Sequence, residues 1–348
     1  MQSDHIGVVV LGAGWAGRHH IKSWLVTPGT QVLGVYDINP AAAQAAVDLA
    51  GGGTVYRSLE AAVAEPRAQV VDICTPNMLH RPGALAAFAA GKHVLCEKPL
   101  AATTADIRAM IAARDQAGRL LMTCQHMRFE ERTQLLRNML AGGRLGEVYY
   151  GRATWLRRRG APVGPGFLRK DLAGFGPGMD IGVHVLDLAM HLMGQPQPVS
   201  VTGVAGAKLA HRPDVCNQWG CFRSEDFQVE DFAAGFVRFA NGAGLAIEVS
   251  WLMNMPETEW IGLTLHGTAG GVRWPDLKLA HVQNNVLVDT QAVGPPENHG
   301  HQHALAAFVD AIRRGGPSPV PAEESLAVVG VLAALYESAG SGREVQLD

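Results

Sequence analysis

The sequence predicts a doubly wound α/β domain on a parallel sheet, followed by an α+β domain with a large, mostly antiparallel, open-faced sheet. Three observations carry this expectation. The first third alternates short β-rich runs with helical stretches, a glycine-rich turn sits at the first strand-to-helix junction, and the rhythm changes after about Gln125. Strand–helix alternation at this spacing requires crossovers that keep the strands parallel and place helices on both faces.

The strands of the first domain read as Ile6–Leu11, Gln31–Asp37, Val70–Thr75, His93–Glu97 and Leu120–Gln125. Helical stretches open near Trp15 and at Pro40, and run through Arg81–Ala90 and Thr103–Ala117. A helix at Arg132–Ala141 then leads into a long strand, Glu147–Arg158. Runs rich in β-branched and aromatic residues follow at Val199–Ala210, Gln228–Phe239, Gly244–Trp251, Trp260–His266 and Gly271–Leu279. Asn241-Gly242 between two of them is a hairpin signal. Helices at Gln302–Arg314 and Glu323–Ala339 close the chain. The expected domains are 1–124 and 125–348.

A length of 348 residues suits two cores. A formal net charge of -3 lacks the basic excess of a nucleic-acid binder. The apolar run Ile6–Leu11 is too short to span a bilayer, and nothing resembles a signal peptide. Five cysteines with no CxxC pair suit free thiols in a reducing compartment. The expectation is a cytoplasmic protein with no membrane or nucleic-acid partner and no structural zinc.

Gly12-Ala13-Gly14-Trp15-Ala16-Gly17 is a GxGxxG that follows a strand and opens a helix. In that context the glycines allow a tight turn, close approach of backbone N–H groups to a pyrophosphate, and packing of helix on sheet. The helix N-terminus adds partial positive charge. Asp37 lies 20 residues after Gly17, where a carboxylate accepts hydrogen bonds from ribose hydroxyls. The next residues, Ile38-Asn39-Pro40, bring no arginine for a 2′-phosphate, so NAD is expected rather than NADP. Thr75-Pro76-Asn77 and Glu97-Lys98-Pro99 end two further strands, on the side where doubly wound sheets bind ligands. His80 and Gln125, near the same strand ends, complete the candidate cofactor contacts.

The second informative stretch runs from Gly174 through Asp180 and His184 to Asp187. A helix starting near Met179 places Asp180 and His184 at i and i+4 on one face, with Asp180 in the first turn. His184, Asp187 and His191 have spacings that can bind a metal, as do His299, His301 and His303. Lys98 already fills the electrophilic role beside the first set, and loop histidines at a helix entry account for the second, so no metal is expected. Arg157-Arg158-Arg159 ends a strand with Arg157 and Arg159 on one face. Arg157 and Lys170 are candidates for substrate hydroxyls, and Arg128 is expected to be structural.

Taken in order, Gly12–Gly17, Glu97-Lys98-Pro99 and Asp180-x3-His184 resemble the glucose–fructose oxidoreductase / inositol dehydrogenase (Gfo/Idh/MocA) family, across essentially the whole chain. The resemblance implies a Rossmann domain and a second, oligomer-forming domain, with Lys98, Asp180 and His184 as the catalytic group and Glu97 near the nicotinamide ribose. The implied activity is NAD-dependent oxidation of a hydroxyl on a sugar, polyol or cyclitol by an enzyme that forms a homodimer or homotetramer. His184 suits proton acceptance near neutral pH, and Lys98 suits stabilisation of a developing alkoxide. Residue types leave open which of the two is the base. Two alternatives share the fold: a glycosidase that uses NAD for transient oxidation and elimination, and a non-catalytic sugar-binding regulator. Intact Lys98, Asp180 and His184 argue against the regulator.

Overall fold

The computed structural model describes residues 5–294 and 298–347. The chain forms two compact units, one of residues through Phe129 with His299–Leu326, the other of Glu130–Asn298 with the chain from Ala327 onward. A single cut after residue 124 does not reproduce this division, because the segment 299–326 packs with the first unit. No helix among the described residues is long and apolar enough to cross a membrane.

The first unit is built on six strands: β1 (Ile6–Leu11), β2 (Thr30–Tyr36), β3 (Thr54–Val55), β4 (Ala68–Ile73), β5 (His93–Cys96) and β6 (Leu121–Thr123). Their order is β3-β2-β1-β4-β5-β6, and every pairing is parallel. All six residues of β1 are buried, as a strand covered on both faces must be. The order reverses between β1 and β4, which opens a switch point where both strands end. Helix signals sit where capping requires them. Asn39 caps the helix Pro40–Leu49, accepting from the Ala41 and Ala42 amides. Thr103 caps Thr104–Ala117, which stops at Gly118 with φ +60.

One apolar core joins β1 and β2 to both sequence segments of this unit. Val8, Val10, Ile21 and Trp24 cluster with Leu305, Phe308, Val309 and Val320, all buried. The helix Gly300–Arg314 lies against the helix Trp15–Val26. Its final turn is tied by Arg313, which donates to the Gly29 carbonyl at 3.0 Å.

The second unit carries nine strands: β7 (Val148–Arg157), β8 (Pro198–Gly206), β9 (Phe232–Phe239), β10 (Gly244–Ser250), β11 (Glu259–Gly267), β12 (Gly270–Trp274), β13 (Lys278–Gln283), β14 (Val286–Gln291) and β15 (Val345–Gln346). The order is β14-β13-β12-β11-β7-β10-β9-β8-β15, with β7 and β10 the parallel exception. The hairpin expected at Asn241-Gly242 joins β9 to β10, with Gly242 at φ +86. The run Gly271–Leu279 is two strands, not one. Pro275 cannot donate to a ladder and Leu277 takes φ +55, so the chain reverses between Trp274 and Lys278. The helix Val183–Leu192 packs on β7 and β11.

The structure predicts that the late segment is part of the first core. Phe308→Ala should lower the unfolding free energy by about 3–5 kcal/mol, read from urea denaturation. A deficit below about 1 kcal/mol would remove residues 299–326 from that core.

Candidate active site

The glycine turn is shaped by close backbone contacts. A Cβ on Gly12, which has φ +98, would lie 2.5 Å from the Cys74 carbonyl oxygen, and one on Gly17 would lie 2.0 Å from the Gly12 carbonyl oxygen. Gly14 has nothing within 4 Å of its Cβ position, so the turn is open where a phosphate would approach. Asp37 closes the turn from the end of β2: its Oδ2 accepts from the Ala13 amide at 2.7 Å and its Oδ1 from the Asn39 amide at 2.8 Å. Trp15 and Ile38 are 72% and 86% exposed beside it, apolar surface that a nucleotide base would cover. Thr75 Oγ1 and the Gln125 amide are buried with no protein hydrogen bond among the described residues. Buried polar atoms of that kind call for a partner. Cradle, carboxylate and orphaned polar atoms fit a dinucleotide.

His80 joins two of the candidate tripeptides. Its ring nitrogens face the Thr75 carbonyl oxygen at 2.8 Å and the Pro99 carbonyl oxygen at 2.9 Å. Burial pushes its pKa down against the pull of those two carbonyls.

Glu97 and Lys98 stand on a buried ionic chain. His20 Nδ1 lies 3.0 Å from both oxygens of Asp72, and His20 Nε2 lies 2.8 Å from Glu97 Oε1. Trp24 Nε1 donates to Asp72 Oδ2 at 2.7 Å, and the Lys98 amide donates to Glu97 Oε2 at 3.1 Å. Burial pushes the His20 pKa down, but its surroundings, the Asp72 charge foremost, together raise the value well above 6.5. With a carboxylate at each nitrogen, His20 is an imidazolium donating from both. Burial opposes ionisation of Glu97, yet the His20 hydrogen bond and charge hold its pKa well below the usual carboxylate range. The nearby rings differ. Burial takes His126 to about 4 and His301 to about 2, so both are neutral, and they stack with centroids 4.0 Å apart.

Two groups of donor atoms here are close enough for a metal ion: His20, Glu97, Cys124 and His301, and His20, Asp72 and Cys74. Their chemistry favours the ionic chain. His20 spends both nitrogens on carboxylates, and burial raises the Cys124 thiol to about 11, away from the thiolate a metal requires.

In the second unit, Asp180 is not in the first turn of a regular helix. Gly178–Gly182 is a π-helical turn, and the α-helix begins at Val183. Single π turns are frequent at functional positions. The glycines before it answer to close approach: a Cβ on Gly178 would lie 2.1 Å from Tyr336 Oη, and one on Gly176 would lie 2.2 Å from the Glu230 carbonyl oxygen. Trp251, fully buried, donates through Nε1 to Asp180 Oδ2 at 3.1 Å. His184 is buried, its ring 5.8 Å from that of Trp155.

Arg157 is held in place. Its Nε donates to Glu259 Oε1 at 2.9 Å, and its guanidinium lies 5.1 Å from the Trp155 ring and 4.4 Å from that of Trp219. Lys170 is exposed and opens a short helix, Lys170–Ala173. Arg128, almost fully buried, pairs with Glu324. Sequence reasoning missed His20, Asp72, Trp155 and Trp251. The signal was Asp72 itself, because a charge inside the apolar run of β4 requires a buried partner.

A glycine turn of this build at the switch point of a parallel sheet defines a dinucleotide-dependent enzyme. Residues 6–125 match the model described as "Oxidoreductase family, NAD-binding Rossmann fold", and residues 133–273 match the "GFO/IDH/MocA C-terminal domain". The chain belongs to the GFO/IDH/MocA family of oxidoreductases. It is 32% identical to D-glucoside 3-dehydrogenase of Escherichia coli (strain K12), over 100% of this chain and 99% of that protein. It is 30% identical to inositol 2-dehydrogenase of Streptomyces avermitilis, over 91% and 88% respectively. A solved levoglucosan dehydrogenase in complex with NADH and levoglucosan superposes with a TM-score of 0.85 at 25% identity, covering 98% of this chain and 99% of that one.

The ionic chain predicts a pH signature. His20→Asn leaves Asp72 and Glu97 without the cation between them and should cost about 3–5 kcal/mol of unfolding free energy near pH 6. Because the folded His20 pKa is raised, its contribution is complete below about pH 6.5 and fades at about 1.4 kcal/mol per pH unit as pH climbs toward the folded value. Denaturation of both proteins from pH 6 to 9 measures this, and a deficit that widens with pH contradicts it.

Proposed function

We propose that the protein is an NAD-dependent dehydrogenase that oxidises a secondary ring hydroxyl of a sugar, glycoside or cyclitol. The observation that carries the reading is Lys98 at the carboxyl end of β5, directly after Glu97, whose carboxylate bonds the buried His20 ring and accepts from the Lys98 amide. The names of the relatives support the substrate class: D-glucoside 3-dehydrogenase and inositol 2-dehydrogenase are named for oxidation at ring positions.

In this reading the first unit holds the dinucleotide and Lys98, and the second unit supplies the hydroxyl-binding residues. NAD, when held by the glycine turn, would supply the hydride acceptor. His184 accepts the hydroxyl proton, Asp180 orients the reacting diol, and the Lys98 ammonium stabilises negative charge as it develops on oxygen. Arg157 and Lys170 contribute donors to other hydroxyls. Gly12–Gly17 receives the pyrophosphate, and Thr75, Asn77, His80, Glu97 and Gln125 line the nicotinamide half. Asp37 receives the adenosine ribose and repels a 2′-phosphate. The reading extends to a cytoplasmic homodimer or homotetramer that pairs through the nine-stranded sheet.

Asp37→Ala is expected to weaken NAD binding about tenfold while narrowing the preference over NADP. Titration of both cofactors by calorimetry measures this, and a wild type that prefers NADP contradicts the ribose assignment.

Lys98→Ala and His184→Ala should each lower kcat by about 10²–10⁴ while NAD affinity holds within a few-fold. Wild-type oxidation should rise with pH through one group near neutrality, a step absent from His184→Ala. The assay follows NADH absorbance over glycosides, inositols and anhydrosugars. Near-wild-type turnover in either variant excludes that residue.

A further inference from the structure

Trp219 is a large aromatic side chain left 50% exposed on a loop that is not loose. Asn217 pins that loop: its Nδ2 donates to the Ala161 carbonyl at 2.9 Å while its Oδ1 accepts from the Ala161 amide at 3.0 Å. The Gln218 amide donates to the Arg159 carbonyl at 2.9 Å. Farther along the loop, Asp231 gathers the amides of Lys208, Leu209 and Ala210 on one carboxylate oxygen at 2.6–2.9 Å. An exposed indole on a fixed backbone is preorganised apolar surface.

Its neighbours lead to the proposed proton acceptor. Arg157 is bracketed by the Trp219 ring at 4.4 Å and the Trp155 ring at 5.1 Å. Glu259 Oε1 fixes both Arg157 and Trp155, accepting at 2.9 and 2.8 Å. The Trp155 ring in turn lies 5.8 Å from that of His184. An unbroken wall of indole, guanidinium, indole and imidazole therefore runs from His184 outward to Trp219. Three successive spacings, of 5.8, 5.1 and 4.4 Å, lie between His184 and Trp219. Apolar rings with a few fixed polar groups are what a carbohydrate site presents, the C–H faces stacking and the hydroxyls bonding at the rim.

We infer that Trp219 is a specificity-determining residue, forming with Arg157 a subsite for the second ring of a glycoside, an aglycone or a second sugar. The inference rests on the assignment of His184 to the reacting ring. Arg157 serves as the spacer that holds the outer indole at a fixed position, and Glu259 keeps the spacer from rotating away.

The test compares D-glucose with p-nitrophenyl β-D-glucopyranoside as substrates, and measures binding of the aryl glycoside to the NADH-loaded enzyme by calorimetry. Trp219→Ala should lower the ratio of kcat/KM for the aryl glycoside to that for glucose by about tenfold, mostly through KM, and weaken aryl glycoside binding similarly. Trp219→Phe should restore most of the ratio. An unchanged ratio, or equal losses on both sugars, overturns the subsite. If the wild type oxidises neither sugar, the proposed activity fails, and calorimetry still decides the subsite: equal binding to wild type and Trp219→Ala overturns it.

Discussion

The interaction on which the rest depends is a single buried positive charge. His20 sits between Asp72 and Glu97 with no exposed surface, and both carboxylates need it. Without the imidazolium, two anions would face each other in a parallel sheet that excludes water. With it, the helix after the glycine turn, the centre of β4 and the end of β5 are joined by charge-assisted bonds. Those three elements bear the glycine turn, the Thr75 tripeptide and the Lys98 tripeptide. A chemical requirement of the core thereby becomes a positional constraint on the loops above it. The same constraint explains why an acidic residue survives inside β4, between Val71 and Ile73.

The second unit uses a different device for the same end. Asp180 and His184 are each backed by a tryptophan, Trp251 just after β10 behind Asp180 and Trp155 of β7 beside His184. The glycines at 176 and 178 let the π turn settle close against Glu230 and Tyr336, whose hydroxyl donates to the Glu230 carboxylate. Packed rings and missing Cβ atoms contribute to the orientation of Asp180 and His184. Indoles suit this because they fill volume and still offer one N–H to a carboxylate.

Much of this was legible in the sequence. The strands of the first unit stood out because a covered parallel strand reads as an apolar run, and the glycine turn and Asp37 could be placed by spacing alone. The hairpin from β13 to β14 went unread although Asn284 and Asn285 carry its signal, both at positive φ. Strands of two residues such as β3 have no period to detect. The π turn at Asp180 was invisible because its cause is tertiary: the clash that forbids side chains at 176 and 178 comes from residues far along the chain. The return of residues 299–326 to the first unit has no local marker either. Lys98, Asp180 and His184 emerged through the resemblance, whereas His20 required taking a lone aspartate in an apolar strand seriously.

His80 carries a consequence for how the two strand-end tripeptides behave together. Its two nitrogens face two carbonyl oxygens, and burial keeps the ring neutral. A neutral imidazole owns one N–H, so at any instant one oxygen is bonded and the other meets a lone pair. Satisfying Thr75 leaves Pro99 frustrated, and exchanging the tautomer reverses the debt. The two loops therefore share one proton between them, and a change that tightens either is felt as slackening in the other.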